Sequence, residues 1–140
     1  MAEQRKIYAT EKDVTRLREL IRDASASTEY RGSQYLENLE IEIERAIIVK
    51  ATEIPADVIT MNSKFVIEDT QSGEEMELTL VYPEDADLLN DRISVLAPMG
   101  TAALGYRLGD VFHYDAPVGV RSARVLKVIY QPEASGDFNL

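Results

Sequence analysis

The sequence predicts an α+β protein. An antiparallel helical hairpin, forming a short coiled coil, precedes a mainly antiparallel sheet domain with one short helix. Two observations carry this prediction. Apolar residues recur at helical spacing over the first 50 or so positions, and they alternate with polar residues after Pro55. Hydrophobic residues make up 45% of the 140-residue chain, which is enough for a core. We therefore expect a hairpin over residues 1–54 and a sheet domain over residues 55–140.

The first helix is predicted to begin after Thr10, whose side chain can cap it, with the acidic Asp13 in the first turn. Its apolar residues follow at spacings of three, four and three, which places them on one stripe of a helix. They are Val14, Leu17, Ile21 and Ala24. A polar loop with Gly32 should then reverse the chain.

The second helix repeats the same spacing. Its stripe consists of Leu36, Leu39, Ile43 and Ala46. We expect this helix to run from about Gln34 to Lys50, roughly 25 Å at about 1.5 Å per residue. Two narrow stripes joined by a short loop predict an antiparallel hairpin. Opposite charges should face each other across it, with Arg18 and Arg22 on one side and Glu37, Glu40 and Glu44 on the other.

The second half of the chain is predicted to form strands separated by turns. The predicted order is strand 64–68, a turn at 71–73, strand 75–82, strand 93–96, a short buried helix 99–106, strand 111–115, a turn at 117–120 and strand 122–130. The stretch from Ile93 to Gly105 is apolar and carries no titratable side chain. Most of it should lie in the core.

Charge narrows the choice of partners. The net charge is −10, and residues 56–140 carry 14 acidic but only 6 basic side chains. Such a chain repels phosphate backbones, so we expect no direct nucleic-acid binding and favour a basic protein surface. No apolar run approaches the roughly 18 residues of a membrane span, and no secretory signal is visible. The expected location is the cytoplasm, without membrane association.

The sequence offers little for catalysis. His113 is the sole histidine, cysteine is absent, and no glycine-rich phosphate loop is present. We therefore expect no enzymatic activity, no cofactor and no bound metal. The acids between Glu84 and Asp91 are interpreted as a helical turn. Asp23 and Glu29 flank the hairpin tip and could deliver Mg²⁺ to another protein's active site, although a solvated loop is the favoured interpretation.

Several segments resemble the GreA and GreB transcript-cleavage factors, and more closely their shorter relatives of the Rnk type, the regulators of nucleoside diphosphate kinase. The most distinctive segment is ISVLAPMGTAALG, followed by Gly109-Asp110. The others lie at 55–63, 80–83 and 130–137. The resemblance thus spans residues 55–137, preceded by a predicted hairpin of the expected length.

The resemblance implies an FKBP-like second domain and a hairpin that enters the secondary channel of bacterial RNA polymerase. It also implies that Leu96, Ala97 and Pro98 contact the β′ coiled-coil rim of that channel. Proline fixes φ, so this loop can be shaped before the partner arrives. The alternative is that Leu96 points into the core and Pro98 only ends the strand.

The chain departs from the GreA and GreB pattern at two places. An apolar Leu96-Ala97 pair stands where those factors have a polar pair, which implies apolar contact with the rim. The arm is markedly shorter, and its tip lacks the Asp-x-x-Glu acid pair of those factors. We therefore expect occupation of the channel entrance without stimulation of transcript cleavage.

The sequence is also compatible with two other functions. One is an FKBP-like module that binds a protein or peptide, or isomerises prolyl bonds. Isomerisation would need an aromatic pocket, for which the chain offers no tryptophan and only Tyr82, Phe112, Tyr114 and Tyr130. The other is direct regulation of nucleoside diphosphate kinase, which no residue pattern addresses.

Overall fold

The computed structural model describes residues 7–137 and confirms the α+β class. Its helices are α1 (Glu11–Ser25), α2 (Gln34–Glu44), α3 (Pro98–Ala103) and α4 (Pro132–Ser135). Its strands are β1 (Tyr8–Ala9), β2 (Ile47–Ile48), β3 (Lys64–Asp69), β4 (Glu75–Val81), β5 (Arg92–Ser94), β6 (Val111–Ala116) and β7 (Gly119–Tyr130).

The two long helices bury the predicted stripes. Helix α1 begins where expected, because the Thr10 side chain accepts a hydrogen bond from the Asp13 amide at 3.2 Å. Every predicted stripe residue within α1 and α2 is buried, whereas Ala46 lies two residues beyond the end of α2 and is half-buried. Arg18 reaches Glu44 across the pair, with Nε 3.5 Å from Oε1. Both side chains are largely exposed, so this ion pair contributes little to stability.

Helix α2 is shorter than predicted. It ends at Glu44, not near Lys50, and is about 16 Å long. The β-branched residues that follow form β2, which pairs in parallel with β1. Ile47 donates its amide to the Ile7 carbonyl at 2.8 Å, and Val49 donates to Ala9 at 3.0 Å. This short ladder ties together the chain segments that enter α1 and leave α2.

The main sheet has five strands in the order β5-β4-β3-β7-β6. Its pairings are antiparallel except between β4 and β5, so the prediction of a mainly antiparallel sheet is confirmed. The predicted turn at 71–73 is present, with Gly73 at a φ of 77°. Strand β7 begins three residues earlier than predicted, at Gly119, so the turn at 117–120 is tighter than expected.

The stretch from Ile93 to Gly105 differs in detail from its prediction. Strand β5 ends at Ser94, two residues early, since Val95 and Leu96 already belong to a turn. Helix α3 ends at Ala103, three residues before the predicted end. The chain then turns at Gly105, where φ is 88° and an added Cβ would lie 2.7 Å from Ile7 Cγ1. Ile7, the first described residue, therefore packs closely against Gly105, the last residue of this stretch.

One continuous core underlies the helices and the sheet. It contains apolar residues of α1 and α2 together with those of β3, β4, β7 and α3. Helix α3 packs against both α2 and β6. Helices α1 and α2 therefore share one hydrophobic core with the main sheet.

Candidate functional site

The segment between β5 and α3, residues 94–98, forms a tight turn that we call the β5–α3 turn. Ser94 closes it twice. Its hydroxyl oxygen accepts from the Leu96 amide at 3.0 Å, and its carbonyl accepts from the Ala97 amide, also at 3.0 Å. The preceding amide, of Val95, donates to the Val81 carbonyl of β4 at 2.9 Å. The turn is therefore anchored to the sheet at its start.

Helix α3 holds the other end of the turn. Pro98 is its first residue, where the fixed φ of proline fits a helix and the missing amide is not needed. The Thr101 amide donates to the Ala97 carbonyl at 2.8 Å, and the Thr101 hydroxyl donates to the Val95 carbonyl. An added Cβ on Gly100 would lie 2.0 Å from the Ser94 carbonyl oxygen. Only glycine allows this approach, so the turn has one fixed shape.

The three predicted contact residues differ in exposure. Leu96 belongs to the core and is 3% exposed. Ala97 and Pro98 are half-buried, as is Met99 next to them. The turn therefore presents a small apolar surface made of Ala97 and Pro98, and Leu96 anchors it from below. Such a preformed surface loses little conformational entropy when it binds a partner.

Of the two predicted tip residues, Glu29 lies within the α1–α2 connection and Asp23 lies just before it. Both Asp23, in the last turn of α1, and Glu29 are exposed. The connection is folded on itself: Ser27 donates its hydroxyl to the Ala24 carbonyl at 2.8 Å and accepts from the Tyr30 amide at 3.3 Å. Within residues 7–137, no group of three or more His, Asp or Glu side chains is arranged to hold a metal ion.

A polar network joins α1 to the end of β4. The Tyr82 hydroxyl donates to Asp13 Oδ1 at 3.0 Å, and both residues are buried. Arg16, one turn along α1, lies over the Tyr82 ring with its Cζ 3.6 Å from the centroid, and it also pairs with Glu84. These contacts fix the orientation of α1 relative to the sheet.

Burial dominates the electrostatics of this network. It raises the pKa of Asp13 above its ordinary value, and the hydrogen bond from Tyr82 only partly offsets the shift. Burial, together with the nearby Asp13 carboxylate, also raises the pKa of Tyr82. Sequence reasoning placed Asp13 in the first turn of α1 but missed its burial. A signal was present, since Asp13 lies four residues before Leu17 and therefore on the same face of α1.

The aromatic residues considered for an isomerase pocket do not form an open floor. Tyr82 and Phe112 are each 1% exposed and belong to the core. Tyr114 is half-buried, and its ring lies 6.2 Å from that of Phe112. Tyr130 donates its hydroxyl to Asp137. His113 lies exposed on β6.

No helix within residues 7–137 is long and apolar enough to cross a membrane. The segment from Glu84 to Asp91, predicted to form one helical turn, instead overlaps two short 3₁₀ turns, at Pro83–Asp85 and Leu88–Asn90.

Two family models match the chain and confirm the resemblance. The model of the C-terminal part of the transcription elongation factors GreA and GreB matches residues 54–130. The model of the Rnk N-terminus matches residues 5–49. The chain therefore belongs to the GreA/GreB family and, within it, to the Rnk type.

Individual relatives agree with this assignment. The chain is 42% identical to the regulator of nucleoside diphosphate kinase of Escherichia coli K12, over 79% of this chain and 82% of that protein. It is 35% identical to the transcription inhibitor protein Gfh1 of Thermus thermophilus, over 76% of this chain and 68% of that protein. Among solved structures, it resembles the transcription elongation factor GreA/GreB from Nitrosomonas europaea. The TM-score is 0.73 at 39% identity, covering 89% of this chain and 98% of that chain.

Proposed function

We propose that this protein regulates transcription by binding RNA polymerase, without catalysing a reaction of its own. The β5–α3 turn would contact the β′ coiled-coil rim of the secondary channel, and α1 and α2 would occupy the channel entrance. The observation that carries the proposal is the fixed β5–α3 turn in a chain whose relatives are named as transcription factors.

The roles of the three contact residues follow from their burial. Ala97 and Pro98 would supply apolar contact with the rim, and the buried Leu96 would hold the turn in place. The polar pair of GreA and GreB is absent, so packing would replace hydrogen bonds at this contact. The acidic charge of residues 56–140 would favour approach to a basic surface.

We further propose that residues 1–54 act as a helical hairpin arm on an FKBP-like body formed by residues 55–140. The two family models match on either side of this boundary, which supports the division. Helix α2 ends at Glu44, so the arm is shorter than its sequence suggested. A short arm whose tip carries Asp23 and Glu29 without an Asp-x-x-Glu pair is unsuited to holding catalytic Mg²⁺ in the polymerase. Binding should therefore occur without stimulation of transcript cleavage.

One relative supports a second candidate function. The 42% identical protein from Escherichia coli is named as a regulator of nucleoside diphosphate kinase. A direct effect on that kinase would require a complex with the purified enzyme. A polymerase-mediated effect would leave purified kinase unaffected.

A direct binding titration tests the proposal. Fluorescently labelled protein is titrated with core RNA polymerase, and Ala97→Arg is compared with the wild type and with Ala134→Arg. The first change adds a long charged side chain to the contact surface. The second makes the same change at an exposed position of α4. We expect micromolar or tighter binding of the wild type and Ala134→Arg, and at least about tenfold weaker binding of Ala97→Arg.

Circular dichroism confirms that each variant is folded before binding is compared. Absence of binding by the wild type at micromolar concentration would refute the proposal. Equal binding by all three proteins would show that the β5–α3 turn is not part of the interface.

A further inference from the structure

Two consecutive leucines project from the connection between β4 and β5. Leu88 is 80% exposed and Leu89 is 97% exposed; among the large apolar residues within 7–137, only Val118, at 83%, is comparably exposed. They lie in the segment 87–91, which we call the leucine turn. A single exposed leucine is ordinary on a protein surface. Two adjacent and almost fully exposed leucines instead indicate a binding surface.

The leucine turn is held in one shape by its backbone. Asp87 and Arg92 exchange both amide-to-carbonyl hydrogen bonds at 2.9 Å, which closes a loop around the leucines. The Asn90 side chain donates to Asp87 Oδ2 at 2.6 Å. The Asp91 carbonyl accepts from the Thr79 amide of β4 at 2.9 Å. The leucines are therefore presented by a braced turn, and binding need not order a flexible loop.

Acidic residues flank the two leucines along the chain. Asp85 and Asp91 are exposed, and Asp87 is half-buried within the turn. Arg92, the basic residue that directly follows the leucine turn, donates its Nε to the backbone carbonyl of Asp85 at 3.1 Å. The apolar tip is thus flanked by three acidic residues and one basic residue, which gives it a net negative border.

This charge pattern selects among possible occupants. A second copy of the chain in a two-fold contact would place like charges opposite each other, which is unfavourable. Nucleic acid and anionic membranes would be repelled by the same border. The complementary partner is a protein surface with an apolar pocket bordered by Lys or Arg.

The position of the leucine turn indicates which partner protein carries this pocket. Strand β5 has only three residues and directly joins the leucine turn to the β5–α3 turn. Both turns therefore belong to one edge of the sheet, since β5 is an edge strand. We propose that Leu88 and Leu89 insert into an apolar, positively bordered pocket of RNA polymerase and form a second contact beside the β5–α3 turn. This inference rests on the proposed function and adds a second binding surface to it.

The test compares variants on core RNA polymerase. The double variant Leu88→Ser/Leu89→Ser removes the apolar tip. Its matched control is Val118→Ser, which changes an 83% exposed residue in the turn between β6 and β7, at the opposite edge of the sheet. A second double variant, Asp85→Asn/Asp91→Asn, removes charge and keeps shape. Asn suits the left-handed conformation of Asp91, where φ is 57°.

We expect Leu88→Ser/Leu89→Ser to raise the Kd at least about tenfold, whereas Val118→Ser binds like the wild type. We expect Asp85→Asn/Asp91→Asn to bind more slowly at low salt and to show a weaker dependence of the association rate on salt.

Three results would overturn the inference in different ways. Tight wild-type binding that neither double variant changes would remove the leucine turn from the interface and leave the proposed function intact. No wild-type binding would refute the proposed function and this inference together. A wild-type protein that sediments as a dimer, with a monomeric Leu88→Ser/Leu89→Ser variant, would assign the surface to a second copy of the chain.

Discussion

The two turns that flank β5 use leucine in opposite ways. In the β5–α3 turn, Leu96 is 3% exposed and lies in the core. In the leucine turn, Leu88 and Leu89 are 80% and 97% exposed. Both turns are fixed by hydrogen bonds to their own backbone and to β4. Both turns therefore have a defined backbone. They differ in that one directs its leucine into the core and the other directs its leucines into solvent.

This contrast separates stability from recognition. Leu96 and Gly100 should matter mainly for folding, because one fills the core and the other allows the backbone to close on itself. Leu88 and Leu89 should matter little for folding, because they bury almost nothing in the free protein. Substitutions in the two turns can test this separation directly.

The largest expected effect is that of Gly100→Ala. The new Cβ would lie 2.0 Å from the Ser94 carbonyl oxygen, which is a backbone atom that cannot move aside cheaply. We expect a loss of unfolding free energy of about 3 kcal/mol or more, measured by urea denaturation. The control Gly32→Ala has a positive φ of 80° but no atom within 4 Å of the new Cβ, so it should cost about 1 kcal/mol. Equal losses of unfolding free energy at the two glycines would show that Gly100 does not approach the Ser94 carbonyl this closely.

A smaller effect should separate the leucines. Leu96→Ala removes a buried side chain and should reduce the unfolding free energy by about 3 kcal/mol. Leu89→Ala removes an exposed one and should change it by less than about 0.5 kcal/mol. The same denaturation experiment measures both. A large loss for Leu89→Ala would mean that the leucine turn packs on the protein itself, which would contradict its role as a free surface.

Much of the fold could be predicted because it depends on local patterns. The cap at Thr10 and the apolar stripes of α1 and α2 were predicted correctly. The ends of strands β3 and β4 were predicted to within one residue. The end of α2 was wrong because Ile47 and Ile48 pair with Tyr8 and Ala9, which are about 40 positions away in sequence. A helical period can continue through residues whose distant partners make them a strand.

The candidate site was less accessible from sequence. The resemblance identified the segment 96–98, but only the structure shows that Leu96 is buried and that Ala97 and Pro98 form the surface. The leucine turn was overlooked because its acids suggested an ordinary helical turn. Exposure depends on how a turn is oriented on the sheet, and no local pattern records this.

The most direct test of the account is a competition experiment. Labelled GreA is bound to core RNA polymerase, and this protein is titrated in. The account predicts that the wild-type protein and Ala134→Arg displace GreA, whereas Ala97→Arg requires a higher concentration to do so. A protein that binds polymerase but leaves GreA in place would contradict docking at the secondary channel.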